Sequence, residues 1–246
     1  INYYLNDTTA PATPYLRCFQ AAMQNIDFET DFLNRTADVL NTFFAPERTL
    51  SIIEKIKTEY EPHYTEHIDR WSGYDGNVES LEEWQDLIEE MKSFSITRPD
   101  SLRKNIVDLF DTMGLYDLVL DVSDSAHGYI HLNTIDIKSS TEGIDETVYT
   151  WKGIYFLDLP INLEAIPLEG FLFSHWEGEI SDTLPKITRA FGTDSIFIKA
   201  IFIEDTSTTY HPEDELLLKP YPNPNNGNFK LSIQTDSKLK SVYIYD

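Results

Sequence analysis

The residues whose types and spacing are best suited to chemistry are His63, Glu66 and His67, in the run His63-Tyr64-Thr65-Glu66-His67. Residues four apart share a helix face, so both imidazoles can reach one Zn²⁺ while the intervening carboxylate acts as general base. A hydrolytic zinc also needs a third protein ligand, for which Glu82, Glu83 or another downstream carboxylate is available. A five-residue pattern arises easily by chance, so zinc hydrolysis is the remote reading of this chain. Asp75-Gly76-Asn77 has part of a calcium loop, but the other oxygen ligands are missing at the required spacing, and it reads as a turn. Cys18 is the only cysteine, which excludes an internal disulfide. On its helix it is expected to be a small buried apolar residue rather than a reactive thiol. The sequence contains no Gly-rich phosphate loop.

The elements that must position such groups are bounded by composition. The 246 residues carry 42 Asp and Glu against 19 Lys and Arg, a formal charge of −23. Nucleic-acid binding requires clustered cations, so that class of partner is excluded. Hydrophobic residues at 41% are enough for real cores. No run approaches the roughly 18 apolar residues of a transmembrane segment. The acidic balance suits a solvated extracellular surface, or less commonly sites for divalent cations.

The hydrophobic period changes from helical to alternating near Gly114. Thr13-Pro14 opens a short helix through Met23. Phe28, Phe32, Leu33, Ala37, Leu40, Phe43 and Phe44 then recur at helical spacing. Pro46 restarts the chain, and Pro62 is expected to start another helix carrying His67 and Trp71. Ser80 with Glu83 forms a capping box, and Pro99 is expected to open a last helix ending at Gly114. Beyond it, Leu118, Leu120 and Val122 alternate, as do Ile161, Leu163 and Ala165, and Ile196, Ile198, Ala200 and Phe202. The expected fold class is α+β and multidomain: an N-terminal antiparallel helical subdomain, a small all-β domain, then the start of a β-sandwich. The expected boundaries are 1–115 for the helices, 116–203 for the β module, 204–215 for an acidic linker and 216–246 for the last segment.

Three stretches resemble known families. Phe32–Ile56, FLNRTADVLNTFFAPERTLSIIEKI, together with HIDRW at 67–71 and RPDSLR at 98–103, resembles the C-terminal part of the CotH family of atypical, secretory-type protein kinases. Arg35, Asp38, Leu40, Asn41, Pro46, Glu47, Arg70 and Trp71 fall in family order. The resemblance implies phosphoryl transfer from ATP, with a divalent metal, to the hydroxyl of an unidentified protein acceptor by an intact parent. In the family the nucleotide-binding lysine and catalytic aspartates lie upstream of this region, so no catalytic, cofactor-binding or metal-binding residue is assigned in this stretch. Arg35 and Asp38, one helical turn apart, are expected to serve packing and pairing. His67 matches a family position, whereas His63 stands where the family commonly has an acidic residue.

The order GYIHLNT from Gly128, WKGIYF from Trp151, PINLEAIP from Pro160 and GFLF from Gly170 is similar to a divergent InlB-type B-repeat, a spacer module of bacterial surface proteins. Its aromatics, Trp151, Tyr155, Phe156, Phe171, Phe173 and Trp176, are expected to form a core in preference to a sugar-stacking platform. The run YPNPNNGNFKLSI resembles the opening of a type IX secretion sorting domain, through Tyr221, Pro222, Asn223, Pro224 and Gly227. That implies the type IX machinery as partner and a secreted or outer-surface location in a Gram-negative bacterium. Starting at Ile1 and stopping within the strand-like run Ser241–Tyr245, the sequence is expected to be an internal piece of a longer exported polypeptide. The competing reading is a non-catalytic surface scaffold or adhesion protein.

Overall fold

Proline and asparagine set where the helices begin. In the computed structural model the described residues are 14–74, 78–110, 114–144 and 148–206, with the backbone alone of 219–221 and 230–232. Helix α1 spans Pro14–Ala22, α2 Ile26–Asn41, α3 Pro46–Trp71 and α4 Leu81–Phe110. Asn25 caps α2, its side-chain oxygen accepting from the amides of Asp27 and Phe28 at 2.9 and 3.2 Å. Pro46 opens α3 at a position where its missing amide costs nothing. The capping box before α4 forms with one change: Ser80 Oγ accepts from the Glu83 amide, but the Glu83 carboxylate reaches the amide of Glu79.

Two expected helix starts are overturned. Pro62 lies inside α3 and Pro99 inside α4. An internal proline removes one amide and crowds the carbonyl four residues back, but the rest of the ladder survives if tertiary contacts hold both sides. They do here: Tyr64 stacks on Trp84 at 4.4 Å on one side of Pro62, and Lys92 pairs with Glu54 on the other. Cys18 is exposed on α1, not buried, because α1 has no buried residue and Cys18 falls on its solvent face.

The strands are β1 Leu115–Val122, β2 Gly128–Leu132, β3 Ile135–Ile137, β4 Trp151–Phe156, β5 Ile161–Pro167, β6 Phe171–Gly178, β7 Lys186–Arg189 and β8 Ser195–Glu204. Of these, β3, β4 and β7 have no counterpart among the strands expected from alternation in the sequence. One sheet has the order β4-β1-β8-β6, with β1 and β8 parallel, and the other has the all-antiparallel order β3-β2-β5-β7. Alternation in β1, β5 and β8 sends Leu118, Leu120, Leu163 and Ile198 inward. In β6 the period breaks at a bulge between Phe173 and His175, which turns Trp176 into the core. Trp151, Tyr155, Phe156 and Trp176 are buried, so these four aromatics are core and offer no sugar platform.

Residues 1–204 form one compact unit and 205–246 another. The change of element type at Gly114 does not divide the core, because Leu33 and Ala37 of α2 and Ile106 of α4 join the same cluster as both sheets. The fold is α+β, a four-helix region followed by two small sheets. In the second unit, β9 Lys219–Tyr221 pairs antiparallel with β10 Lys230–Ser232. Among the described residues no helix is long and apolar enough to cross a membrane.

Candidate functional site

Helix α2 brings the polar residues singled out in the sequence onto the sheets. Leu33, Ala37 and Leu40 bury its apolar face, and that burial carries Asn34, Asp38 and Asn41 in with it. Asp38 is fully buried and accepts four hydrogen bonds. Its Oδ1 takes Tyr155 Oη at 2.8 Å and Asn133 Nδ2 at 3.2 Å. Its Oδ2 takes Thr134 Oγ1 at 2.6 Å and the Thr134 amide at 3.1 Å. Asn133 holds a positive φ of 47° at the β2–β3 turn, which aims both donors of that turn at the carboxylate.

Burial pushes the Asp38 pKa above its ordinary value of 3.8, and the hydrogen bonds from Thr134, Tyr155 and Asn133 offset only part of that. Burial, together with the adjacent Asp38 carboxylate, raises the Tyr155 phenol well above its ordinary value. The expected partnership of Arg35 with Asp38 is indirect. Arg35 donates to Thr134 Oγ1 at 2.7 Å, and that hydroxyl donates to Asp38.

One turn on, Asn41 acts as a stand-in for a neighbouring strand. Its side-chain amide accepts from the Ile154 amide at 3.0 Å and donates to the Ile154 carbonyl at 2.9 Å. β4 is an edge strand, so Asn41 satisfies backbone groups that would otherwise be exposed in a helix–sheet junction. The same Asn41 oxygen accepts from Arg103 of α4 at 2.8 Å, and Arg103 also pairs with Asp100 at 3.0 Å. Burial lowers the Arg103 pKa, outweighing the attraction of Asp100. Asn34 donates to the Pro160 carbonyl at 2.8 Å. The sequence signals Asp38 and Asn41 but not their partners, since Thr134, Asn133, Tyr155 and Arg103 lie between 62 and 117 residues away.

Two open clefts flank the α2–α3 turn. One, about 650 Å³, is lined by Arg48, Ser51 and the loop from Ser139 to Ile144. Arg48 closes one wall, pairing with Glu142 at 2.7 Å and donating to the Phe43 carbonyl at 2.9 Å. Gly143 sits in this loop at φ 84° against the backbone of Thr42, where a Cβ would collide with the carbonyl. The other cleft, about 490 Å³, is lined by Asn41, Glu47, Asp117, Lys152 and Ser195. Binding nucleotide phosphates and Mg²⁺ takes a cation, converging carboxylates and a base in one place. These residues do not fit that requirement. Among the described residues no three His, Cys, Asp or Glu groups converge on a metal position. Asp38, the one deeply buried carboxylate among the described residues, has its lone pairs occupied by donors.

His63, Glu66 and His67 are brought to one exposed flank of α3, and among the described residues no third ligand meets them. The His67 ring lies 5.3 Å from that of Tyr64, a packing contact. Trp71 packs edge-on against Tyr74, and Arg70 lies in the last turn of α3, where a cation favours the helix dipole. The loop at Asp75-Gly76-Asn77 lies outside the described residues. Of the sorting-type residues, Tyr221 ends β9, while Pro222, Asn223, Pro224 and Gly227 lie outside the described residues. Sequence reading missed a second polar cluster in the strands. His131 Nδ1 lies 2.7 Å from Asp136, which also pairs with Lys138 at 2.8 Å. Burial works to raise the Asp136 pKa, but the bonds from Lys138 and His131 prevail and leave it lowered.

The residues that anchor α2 and α3 fall inside the matching stretch of a known family. Residues 5–102 match the model of the CotH kinase protein family. No curated protein and no solved structure matches the chain. The CotH match covers α1, α2, α3 and most of α4, and so contains Arg35, Asp38, Asn41 and Arg48. What the CotH-matching stretch contributes to this fold is a docking face. Its residues Asn34, Arg35, Asp38 and Asn41 are directed at the β2–β3 turn, at β4 and at the Pro160 carbonyl.

Proposed function

We propose that this chain is part of an exported surface protein of the CotH kinase type, whose intact form transfers phosphate from ATP to protein hydroxyls. The match over residues 5–102 carries this reading. In it, the α2 junction fixes a helical subdomain onto the sheets, and the phosphoryl chemistry belongs to residues outside those described here. The segment from Tyr221 to Gly227 directs export through the type IX machinery to the outer surface, and the stranded half serves as a spacer akin to a B-repeat. The acidic composition supports an extracellular setting.

The test is transfer of labelled γ-phosphate by the full-length gene product with Mg²⁺ or Mn²⁺, compared with residues 1–246 expressed alone. Labelling by the full-length protein and none by the shorter chain is expected. Absence of transfer from the full-length protein across both metals and a panel of Ser/Thr-rich acceptors overturns the kinase reading. A second reading, a non-catalytic surface scaffold, is favoured by the saturated bonding of Asp38, and it predicts nucleotide-independent binding to a surface partner.

A further inference from the structure

The hairpin of α3 and α4 covers only part of its apolar surface. Its seam is closed by the Tyr64–Trp84 stack and by Ile88, which is buried. On one flank Phe44, Ile56, Tyr60, Leu87, Met91 and Phe94 stand in solvent, each between 45% and 60% exposed. Thr49, Ile56 and Tyr60 share one row of α3, and Leu87, Met91 and Phe94 share one row of α4. The two rows lie on the same side of the hairpin, because Thr49 and Phe94 line one apolar groove of about 450 Å³, together with Phe44 and Leu102. The polar contacts of Glu54 with Lys92 and of Glu61 with Gln85 involve positions outside both rows. The result is a strip running from the groove at Phe44 to Tyr60 and Leu87. Contiguous apolar strips of this kind mark interaction sites.

Charge indicates what covers it. Over the described residues 59–74 and 78–90, where α3 ends and α4 begins, there are ten acidic residues and a single Arg, Arg70. An apolar strip leading into so acidic a tip is complementary to a segment with one apolar face and many cations. We propose that the strip docks a cationic amphipathic helix of a partner protein. Its apolar row lies between the α3 and α4 rows, and its Lys and Arg side chains meet the acidic tip.

The probe is a Leu/Lys amphipathic peptide of about 18 residues, five helical turns, titrated into residues 1–246 beside a Leu/Glu peptide of the same pattern. Saturable one-to-one binding of the Leu/Lys peptide is expected, with amide-exchange protection on α3 and α4. The triple variant Leu87→Ser, Met91→Ser, Phe94→Ser leaves the net charge unchanged and is expected to bind about tenfold or more weakly. Circular dichroism and melting of the variant confirm that it is folded. Equal binding by the triple variant would show attraction by charge alone and overturn the proposal. Equal binding of the Leu/Glu peptide would remove the cationic requirement and overturn it as well. A wild-type dimer that the triple variant converts to monomer would assign the strip to a second copy instead.

Discussion

Two regions of the CotH-matching stretch use their side chains in opposite ways. On α2, two buried polar residues are tied to the sheets: Asp38 accepts four hydrogen bonds, and Asn41 pairs with both backbone groups of Ile154, while the buried Asn34 donates to Pro160 but leaves its own side-chain oxygen without a donor. On the α3–α4 hairpin, large apolar residues are left in water while charged ones crowd the tip. A buried polar group costs free energy unless it is hydrogen-bonded, so the bonds of Asp38 and Asn41 favour one register of α2 on the sheets. An exposed apolar strip costs little while uncovered and gains when something covers it. The first region therefore reads as architecture and the second as a surface for a partner.

The largest expected effect breaks the architectural half. Asp38→Ala leaves four donors in a buried site with no acceptor, which should lower unfolding free energy by about 3–5 kcal/mol. Asp38→Asn keeps the shape but turns one oxygen into a donor facing donors, and should cost about 1–3 kcal/mol. Urea unfolding measures both. A loss under about 1 kcal/mol for the alanine variant would mean that the junction does not hold α2 to the sheets.

A smaller effect, in pH, sharpens the same point. The folded-state pKa of Asp38 is raised above its ordinary 3.8. The folded state therefore holds its proton more tightly than the unfolded chain does. The associated stability is fully present below 3.8 and is lost as pH rises through the folded value. Asp136 has the opposite sign, since its lowered pKa contributes stability above 3.8 that is lost as pH falls through its folded value. Subtracting the stability of Asp38→Asn from that of wild type at each pH cancels Asp136 and the other carboxylates. The difference should move in favour of wild type as the solution is made more acidic through the window above 3.8. A difference that is flat, or that moves the other way, would show that the four hydrogen bonds outweigh burial.

What the sequence makes legible follows from how local each cause is. Helix and strand types are written in short periods, so α2, β1, β5 and β8 are readable from their alternation. Pro62 and Pro99 misled because a proline marks a helix start only when nothing else fixes the chain around it. Here Tyr64 on Trp84 and Lys92 with Glu54 hold α3 on both sides of Pro62, while Lys92 with Glu54 and Arg103 with Asn41 hold α4 on both sides of Pro99. The bulge at Phe173/His175 is set by pairing with β8, which leaves no local period to read. At the α2 junction, Asp38 and Asn41 stand out in the sequence because they fall in CotH family order. Their partners do not, because Thr134 looks like turn chemistry and Tyr155 like any core aromatic. The His63–His67 pattern shows the converse: the spacing is right, but helix geometry supplies two ligands on an exposed flank and the described residues supply no third.

The smallest expected effect is on the other side of the comparison. The triple variant Leu87→Ser, Met91→Ser, Phe94→Ser removes three large apolar side chains from α4, yet each is already about half in water. Exposed substitutions of this kind shift stability by about 0.5 kcal/mol or less apiece, and serine's weaker helix propensity works in the same direction as the lost contacts. The variant should therefore melt within a few degrees of wild type while losing peptide binding. That separation between stability and binding is what a partner surface predicts. If the variant instead lost as much stability as Asp38→Ala, the strip would be a seam of the fold itself, and the contrast between an α2 tied to the sheets and an open hairpin would fail. Thermal melting of the two variants side by side, at one pH and one salt concentration, decides between these outcomes.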